Sequence, residues 1–309
     1  MSFLVYSEDR ELAFQILAKA RELADAKSSE VVALVTDGSP QDYINQGADR
    51  ALSVDGLGSF AVAPYRAAVL KAVDEAAPEF IIMGATKRGK ELAPRIAAAL
   101  EVGCMNDCYK VDLEDGRVVV ERLTYGGSTI AKEYSSSVPT VITVPPRSFE
   151  KLEASDRPGE VIALTVEAPE PELKVIEVRE KPKGSSDVEN ADIIISAGRG
   201  FKEKEDLKIL DELAEILGAA VGCSRPISAD LGWMTDWVGI SDKKVKPSLY
   251  ITCGISGQIQ HVSGIRDSKI IVSINNNESA GIHGVSDYSI VGDIYKVVPA
   301  LVKALKEKA

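Results

Sequence analysis

The chain lacks the residues that form most metal and disulfide sites. It has four cysteines and two histidines among 309 residues, and the cysteines form no Cys-x-x-Cys pair. So sparse a set argues against an iron–sulfur or zinc site. We therefore expect reduced, mostly buried cysteines in a cytoplasmic protein.

A basic surface and a long apolar run are missing as well. The formal net charge of -11 argues against nucleic acid as a partner and against binding to an anionic membrane surface. No run of about 18 apolar residues occurs, so we expect no membrane insertion. The N-terminus has no basic segment followed by an apolar one, and we expect no secretory signal.

The first half of the chain alternates short apolar runs with helical patterns. Apolar residues recur at a period near 3.6 in the predicted helices, whereas the predicted strands are short and bounded by turn residues. This alternation predicts a mainly parallel sheet with right-handed crossovers. The predicted strands are 3–6, 31–35, 48–54, 80–83, 108–113, 117–123 and 140–144, and the predicted helices are 10–26, 62–77 and 90–100.

A stretch rich in Pro, Glu and Lys separates the two halves. Residues 181–187 have the composition of a linker, and 174–178 are a candidate edge strand of the first domain. We therefore predict an N-terminal α/β scaffold and partner-docking domain over 1–185. A smaller, doubly wound α/β domain is predicted over 186–309, with strands 191–197, 219–223, 248–253, 268–274 and 288–291 and helices 205–217 and 293–306.

The run GISGQIQH, at residues 254–261, follows a predicted strand and opens a predicted helix. Gly254 and Gly257 allow a tight turn and a close approach of the backbone to a ligand. Ser256 is predicted to cap the helix, whose first N–H groups would form an anion site. His261 would then lie near a phosphate or cofactor, the alternative being a histidine buried for packing.

Other polar turns follow predicted strands, and they converge at one edge if the sheet is parallel. Arg199, in a Gly-Arg-Gly turn, suits a diphosphate or an aromatic ring, although such turns are also common without a ligand. Ser224 and Arg225 offer a hydroxyl and a guanidinium, unless the arginine is simply a surface residue. Asn275 suits a ribose or adenine contact, and Asp293 either caps the last helix or binds a ribose hydroxyl.

Together these motifs resemble, in the same order, the FAD-binding domain of the electron transfer flavoprotein alpha subunit family. The resemblance extends from Ser196 to Pro299. It implies a single FAD and a set of residues around it. These are Arg199, Ser224, Arg225, Gly239, Ser241, Gly254, Ser256, Gly257, Gln260, His261, Asn275 and Asp293.

The family also implies an activity and a partner. Its members carry electrons between donor dehydrogenases and a downstream acceptor, as heterodimers with a beta subunit. We find no convincing catalytic triad, and an electron carrier needs none. We identify neither a GxGxxG fingerprint nor a GxxxxGK phosphate loop in the first domain, so we expect it to bind no nucleotide.

The sequence departs from the family pattern at the turn after the second strand of the FAD-binding domain. The family usually reads VGQTG where residues 238–242 read VGISD. Ser241 replaces a threonine hydroxyl that contacts the flavin N5, Ile240 removes a glutamine, and Asp242 adds a negative charge. In addition, the segment 225–232 is one residue longer than is usual, Cys223 replaces a small residue, and His283 stands where an aromatic is usual.

Two other functions remain open from the sequence. The second domain could bind a dinucleotide without transferring electrons, as part of a regulatory protein. An NAD-dependent dehydrogenase is the other alternative, but the absence of GxGxxG after any predicted strand counts against it.

Overall fold

A computed structural model describes residues 2–167, 169–170, 176–177 and 187–307 of the chain. The chain forms two compact units, which we call unit 1 (Met1–Thr124 with Ile130–Val178) and unit 2 (Tyr125–Thr129 with Arg179–Ala309). The predicted domain boundary at 185/186, the linker over 181–187 and the edge strand over 174–178 fall almost wholly outside the described residues. They therefore stay predictions.

Unit 1 is built on a seven-stranded sheet in the order β10-β3-β2-β1-β4-β9-β5, and every pair of neighbours is parallel. Its strands are β1 (Ser2–Tyr6), β2 (Glu30–Val35), β3 (Arg50–Ser53), β4 (Phe80–Gly84), β5 (Cys104–Met105), β9 (Thr140–Val144) and β10 (Glu160–Ala163). Its helices are α1 (Arg10–Lys27), α2 (Pro40–Asn45), α3 (Val62–Ala76) and α4 (Lys87–Ala99). A second sheet, in the order β6-β7-β8, contains β6 (Cys108–Glu114), β7 (Arg117–Thr124) and β8 (Thr129–Glu133).

The central strands of the large sheet, β1, β2, β4 and β9, are almost wholly buried and largely apolar because both faces of the sheet are covered. Phe3 and Val5 pack in the core that includes α1, whereas Leu4 and Tyr6 pack in the core that includes α3 and α4. A parallel sheet buried on both faces produces such continuous apolar runs, and this is why sequence patterns located most of these strands.

Unit 2 contains a five-stranded parallel sheet in the order β12-β11-β13-β14-β15. Its strands are β11 (Ile193–Ala197), β12 (Ala220–Cys223), β13 (Leu249–Cys253), β14 (Ile270–Asn275) and β15 (Tyr288–Val291). Its helices are α5 (Lys208–Leu217), α6 (Ile259–Ile265) and α7 (Ile294–Lys306). Because all five strands are parallel, their carboxyl ends share one edge of the sheet.

Alternate residues of the unit 2 strands enter two separate cores. Ile195 and Ile251 pack in the core that includes α5 and α7, while Ile194 and Tyr250 pack in the core that includes Ile265 of α6. The prediction of two α/β domains with mainly parallel sheets flanked by helices is confirmed. The finer prediction of a doubly wound C-terminal fold stays a prediction.

Three properties of the described part of the chain bear on function. None of its helices has both the length and the apolar character that crossing a membrane requires. It also contains no group of three or more His, Cys, Asp or Glu residues placed to hold a metal ion. All four cysteines are free thiols, and burial raises the pKa of Cys108, Cys223 and Cys253 to about 12.

Several short elements differ from the predictions. Helix α2, with six residues, lies where the sequence pattern indicates only a turn, and Pro40 is at its first position. Strands β5 and β10 have two and four residues, too few to show a period. Residues 226–230 form a single π-helical turn, which the spacing of apolar residues in the sequence does not predict.

Candidate cofactor-binding site

The order of the strands in unit 2 reverses between β11 and β13, since β12 lies on one side of β11 and β13 on the other. Ligands of open parallel sheets bind outside the carboxyl ends of the strands at such a reversal. The turns at this point are held together by backbone hydrogen bonds. Gly198 N–H donates to Cys253 O at 2.8 Å, Gly200 N–H to Gly254 O at 3.1 Å, and Ser224 N–H to Ala197 O at 2.9 Å. The structure therefore brings together the turns that carry Arg199, Ser224 and Gly254.

The glycines of the 254–257 turn are required by contacts within the protein. Gly254 and Gly257 have φ of 68° and 83°, a region that favours glycine. A Cβ atom on Gly254 would lie 2.9 Å from Gly200 Cα, and one on Gly257 would lie 2.1 Å from Ile282 N. Close approach of two chain segments is therefore sufficient to explain both glycines, and a direct contact between them and a ligand stays a prediction.

The prediction that Ser256 caps the following helix is wrong. Helix α6 begins at Ile259, with Gln258 at the N-cap and no side-chain capping bond. The cause is Gly257, whose positive φ cannot belong to a right-handed helix and which delays the first turn. Ser256 is instead an exposed residue whose carbonyl oxygen accepts a hydrogen bond from Ile282 N–H at 3.1 Å.

His261 is buried, with 6% of its surface exposed, and both of its ring nitrogens have protein partners. Nδ1 lies 2.9 Å from Val238 O, and Nε2 lies 3.3 Å from the hydroxyl of Tyr250. Burial lowers the pKa of His261 to about 4, so the ring is neutral near pH 7. A hydrogen bond from this ring to a cofactor stays a prediction, and it requires Nε2 to exchange the tyrosine hydroxyl for the ligand.

The turn over 238–243, which departs from the family pattern, is held by its own residues. The carboxylate of Asp242 accepts a hydrogen bond from Trp237 N–H at 3.1 Å, and Ser241 Oγ accepts one from Trp237 Nε1–H at 3.4 Å. Gly239 is buried, and its N–H donates to Lys243 O at 2.8 Å. Asp242 thus has a local role in shaping the turn, which the sequence comparison did not suggest.

Arg225 lies at the start of the π-helical turn over 226–230. Leu231 N–H donates to Pro226 O at 3.0 Å, the i to i+5 spacing that accommodates one additional residue. The extra residue that the family resemblance implies in the segment 225–232 would fit in this turn. The guanidinium of Arg225 lies over the ring of Trp237, 6.0 Å from its centre.

Asn275 and Asp293 both serve the local structure. The side chain of Asn275 donates to Ile255 O at 2.8 Å and accepts from Asn277 N–H at 2.9 Å. Asp293 is the N-cap of α7, and its carboxylate accepts from Tyr295 N–H at 3.0 Å. Capping, the simpler of the two predictions for Asp293, is what the structure shows, and a ribose contact stays a prediction.

The groups at this edge fit a dinucleotide with a diphosphate. Arg199 and Arg225 are exposed, and guanidinium groups recognise phosphate oxygens through paired hydrogen bonds. Hydroxyl and amide donors complete the set, and the exposed ones are Ser241, Ser256 and Gln260. Ser224, by contrast, is buried.

Unit 1 contains a phosphate-loop pattern that the sequence reading missed. Residues 84–90 read GATKRGK, which matches GxxxxGK, although Glu91 follows where Ser or Thr is required. In the structure α4 begins at Lys87, and Thr86 Oγ1 caps it by accepting from Gly89 N–H at 2.9 Å. A Cβ atom on Gly89 would lie 1.9 Å from Gly84 O, so the close packing of the helix on the strand end is sufficient to explain this glycine.

The sequence also did not indicate that two further residues, Tyr250 and Val238, contact His261. Tyr250 reads as one more apolar residue of a strand, and Val238 acts through its backbone carbonyl. Neither contact can be read from residue type or spacing, because both depend on how α6 packs on the sheet.

Comparison with known proteins yields two family models that together match most of the chain. The electron transfer flavoprotein domain matches residues 4–169, and the electron transfer flavoprotein FAD-binding domain matches residues 187–266. A subunit alpha of electron transfer flavoprotein from Thermoanaerobacterium thermosaccharolyticum is 37% identical, over 98% of this chain and 97% of that protein. Those from Clostridium acetobutylicum and Bacillus subtilis are 35% and 34% identical, over 98% and 97% of this chain and 96% and 94% of theirs.

Proposed function

The chain belongs to the electron transfer flavoprotein alpha subunit family, and on this premise we propose how its two units divide the work of a heterodimeric electron carrier. Unit 2 binds FAD, and unit 1 serves as scaffold and as the docking surface for a beta subunit. The observation that carries the proposal is the FAD-binding match over 187–266, on the unit whose strand ends carry the arginines and hydroxyls described above.

The FAD would be held at the carboxyl edge of the unit 2 sheet. Arg199 and Arg225 would neutralise the diphosphate or the flavin, with Ser224, Ser241, Ser256 and Gln260 as further donors. Gly239, Gly254 and Gly257 shape the turns, and His261, Asn275 and Asp293 complete the residues expected around the cofactor. FAD supplies reversible uptake and release of electrons, which no side chain of the protein provides.

The chain's own residues contribute charge and shape the turns around the site. The two exposed guanidiniums, of Arg199 and Arg225, favour a reduced cofactor because reduction adds negative charge that they can neutralise. The buried ring of His261 is neutral and adds no fixed charge. Asp242, whose carboxylate is already hydrogen-bonded to the backbone of Trp237, adds a negative charge to the nearby turn.

The partners follow from the family and from the chemistry. A beta subunit completes the heterodimer, a dehydrogenase donates electrons, and a downstream acceptor removes them. We place the heterodimer in the cytoplasm, because a reducing compartment keeps thiols such as these four cysteines reduced.

The test is a visible absorption spectrum of the purified chain, prepared with and without its beta subunit, with chromatography of the released cofactor. We expect about one FAD per heterodimer on this chain, reducible by single electrons. Absence of flavin after reconstitution with the beta subunit would refute the proposal. A bound dinucleotide without flavin absorbance would favour the redox-silent regulatory protein instead.

A further inference from the structure

Tyr250 is a fully buried tyrosine whose hydroxyl lies 3.3 Å from Nε2 of His261. It is the second residue of β13, paired in register with Ile194 on β11 and Ile271 on β14. None of its surface is exposed, and burial raises its pKa far above the usual range. Because the sheet fixes its backbone on both sides, its hydroxyl is a rigid reference point beneath α6.

The direction of the hydrogen bonds around His261 follows from the groups present. A carbonyl oxygen can only accept, so the contact between Nδ1 and Val238 O places the proton on Nδ1. In a neutral ring Nε2 then has a lone pair and no proton. The hydroxyl of Tyr250, 3.3 Å away, is therefore the donor to Nε2.

The same ring connects the rigid sheet to the turn over 238–243. Two backbone hydrogen bonds also attach this turn and the residues just after it to α6, from Ile240 N–H to Gln260 O at 2.8 Å and from Val245 N–H to Gly264 O at 2.9 Å. The side chain of His261 adds the connection next to Gly239, on which the turn depends. Tyr250, His261 and Val238 thus form a continuous path from strand β13 to the turn that carries Ser241.

We propose that Tyr250 is a positioning residue of the cofactor site. Its hydroxyl donates to Nε2 of His261, and the ring so oriented holds the 238–243 turn against α6. The proposal rests on the proposed function, since it assumes that FAD uses this turn. It assigns Tyr250 no contact with the reacting atoms and no exchange of protons.

Nitrogen NMR of the histidine ring tests the contact itself. The full-length chain would carry ¹⁵N-histidine and be combined with unlabelled beta subunit. The chain has only two histidines, so a His283→Gln variant identifies the signals of His261. We expect a protonated Nδ1 and an unprotonated Nε2 whose resonance lies upfield because it accepts a hydrogen bond.

Tyr250→Phe removes the donor with little change in shape. We expect the Nε2 resonance to move downfield and the Kd for FAD to rise about three- to tenfold, the effect of one lost hydrogen bond. Tyr288→Phe is the matched control, because it makes the same change on the same sheet at a tyrosine that is 65% exposed. It should leave both measurements unchanged.

Three results would overturn the proposal. A proton on Nε2 in the wild-type chain would exclude the assigned direction, and this measurement does not depend on Tyr250→Phe should that variant fail to fold. An Nε2 resonance that Tyr250→Phe does not move would exclude the contact. A folded Tyr250→Phe variant with the FAD affinity of the control would exclude the positioning role. Failure of the wild-type heterodimer to bind FAD would instead refute the proposed function, while the NMR result would still decide the contact.

Discussion

Units 1 and 2 share an architecture, but the residues that follow their first strands along the chain carry opposite charges. In unit 1 the strands β1, β2 and β3 are followed by acidic residues, among them Glu8, Asp9, Asp37 and Asp55. In unit 2 the strands β11 and β12 are followed by Arg199 and Arg225. Two parallel sheets thus acquire different functions through the residues that follow their strands.

The phosphate-loop pattern in unit 1 limits this contrast, because three cations follow β4. Lys87, Arg88 and Lys90 lie in the first turn of α4. Arg88 lies over the ring of Phe60 with its guanidinium 5.0 Å from the ring centre, and Lys90 pairs with Asp107 at 2.8 Å. The close packing of Gly89 on Gly84 explains this glycine without a bound phosphate. We therefore retain the prediction that unit 1 binds no nucleotide, which specific binding of AMP or FAD by residues 1–180 would contradict.

The largest effect is expected at the glycine turn of unit 2. Gly257→Ala places a Cβ atom 2.1 Å from Ile282 N at a positive φ, and we expect it to lower the free energy of unfolding of unit 2 by about 2–4 kcal/mol. Both tryptophans of the chain, Trp233 and Trp237, lie in unit 2, so urea unfolding followed by tryptophan fluorescence reports on this unit. Gly284→Ala, where a Cβ atom meets open space, is the control. Equal stability of the two variants would contradict the prediction.

A difference in pH dependence is expected next, because both histidines lie in unit 2. The unfolded chain binds a proton at His261 below about pH 6.5, whereas the folded chain does so only near pH 4. Stability is therefore lost as the pH falls through this window, by about 2 kcal/mol between pH 7 and pH 5. Urea unfolding at both pH values should show this loss in the wild type and its absence in His261→Gln. Equal losses in both chains would mean that the ring is not buried as a neutral group.

A smaller effect should distinguish the cations at the two sheet edges. Arg225→Gln removes one charge from the proposed FAD site, and we expect the Kd for FAD to rise about tenfold, since solvent weakens an exposed contact. Arg88→Gln makes the same change in unit 1 and should leave the Kd unchanged. Titration of the FAD-free heterodimer with FAD measures both. Equal Kd values for the two variants would show that FAD binding does not depend on the positive charge at the edge of the unit 2 sheet.

The smallest effect concerns two helix caps with similar geometry. Asp9 accepts from Leu12 N–H at the start of α1, as Asp293 accepts from Tyr295 N–H at the start of α7. Replacing either by alanine should cost about 1 kcal/mol of stability in its own unit, measured by urea unfolding. Only Asp293→Ala should also weaken FAD binding, through the predicted ribose contact. If FAD affinity is unchanged in both variants, Asp293 is a cap and no more.

Sequence patterns located most of the fold because burial on both sheet faces leaves clear apolar runs. They also indicated which turns meet at the carboxyl edge of unit 2, since this follows from parallel strands alone. The start of α6 could not be predicted in this way. It depends on Gly257, whose conformation is set by contact with Ile282, a residue 25 positions later in the chain. The partners of His261 were equally inaccessible, because Tyr250 and Val238 reach it from different elements.

The π-helical turn after β12 also indicates where the chain can change in length. Both ends of this loop are fixed to the sheet, by Ser224 N–H on Ala197 O at 2.9 Å and by Val238 N–H on Cys223 O at 2.8 Å. An inserted residue between these anchors widens one turn and leaves the strand ends on either side in register. A change in length there would therefore alter the rim of the candidate site, where Arg225 lies, and leave the sheet beneath it in place.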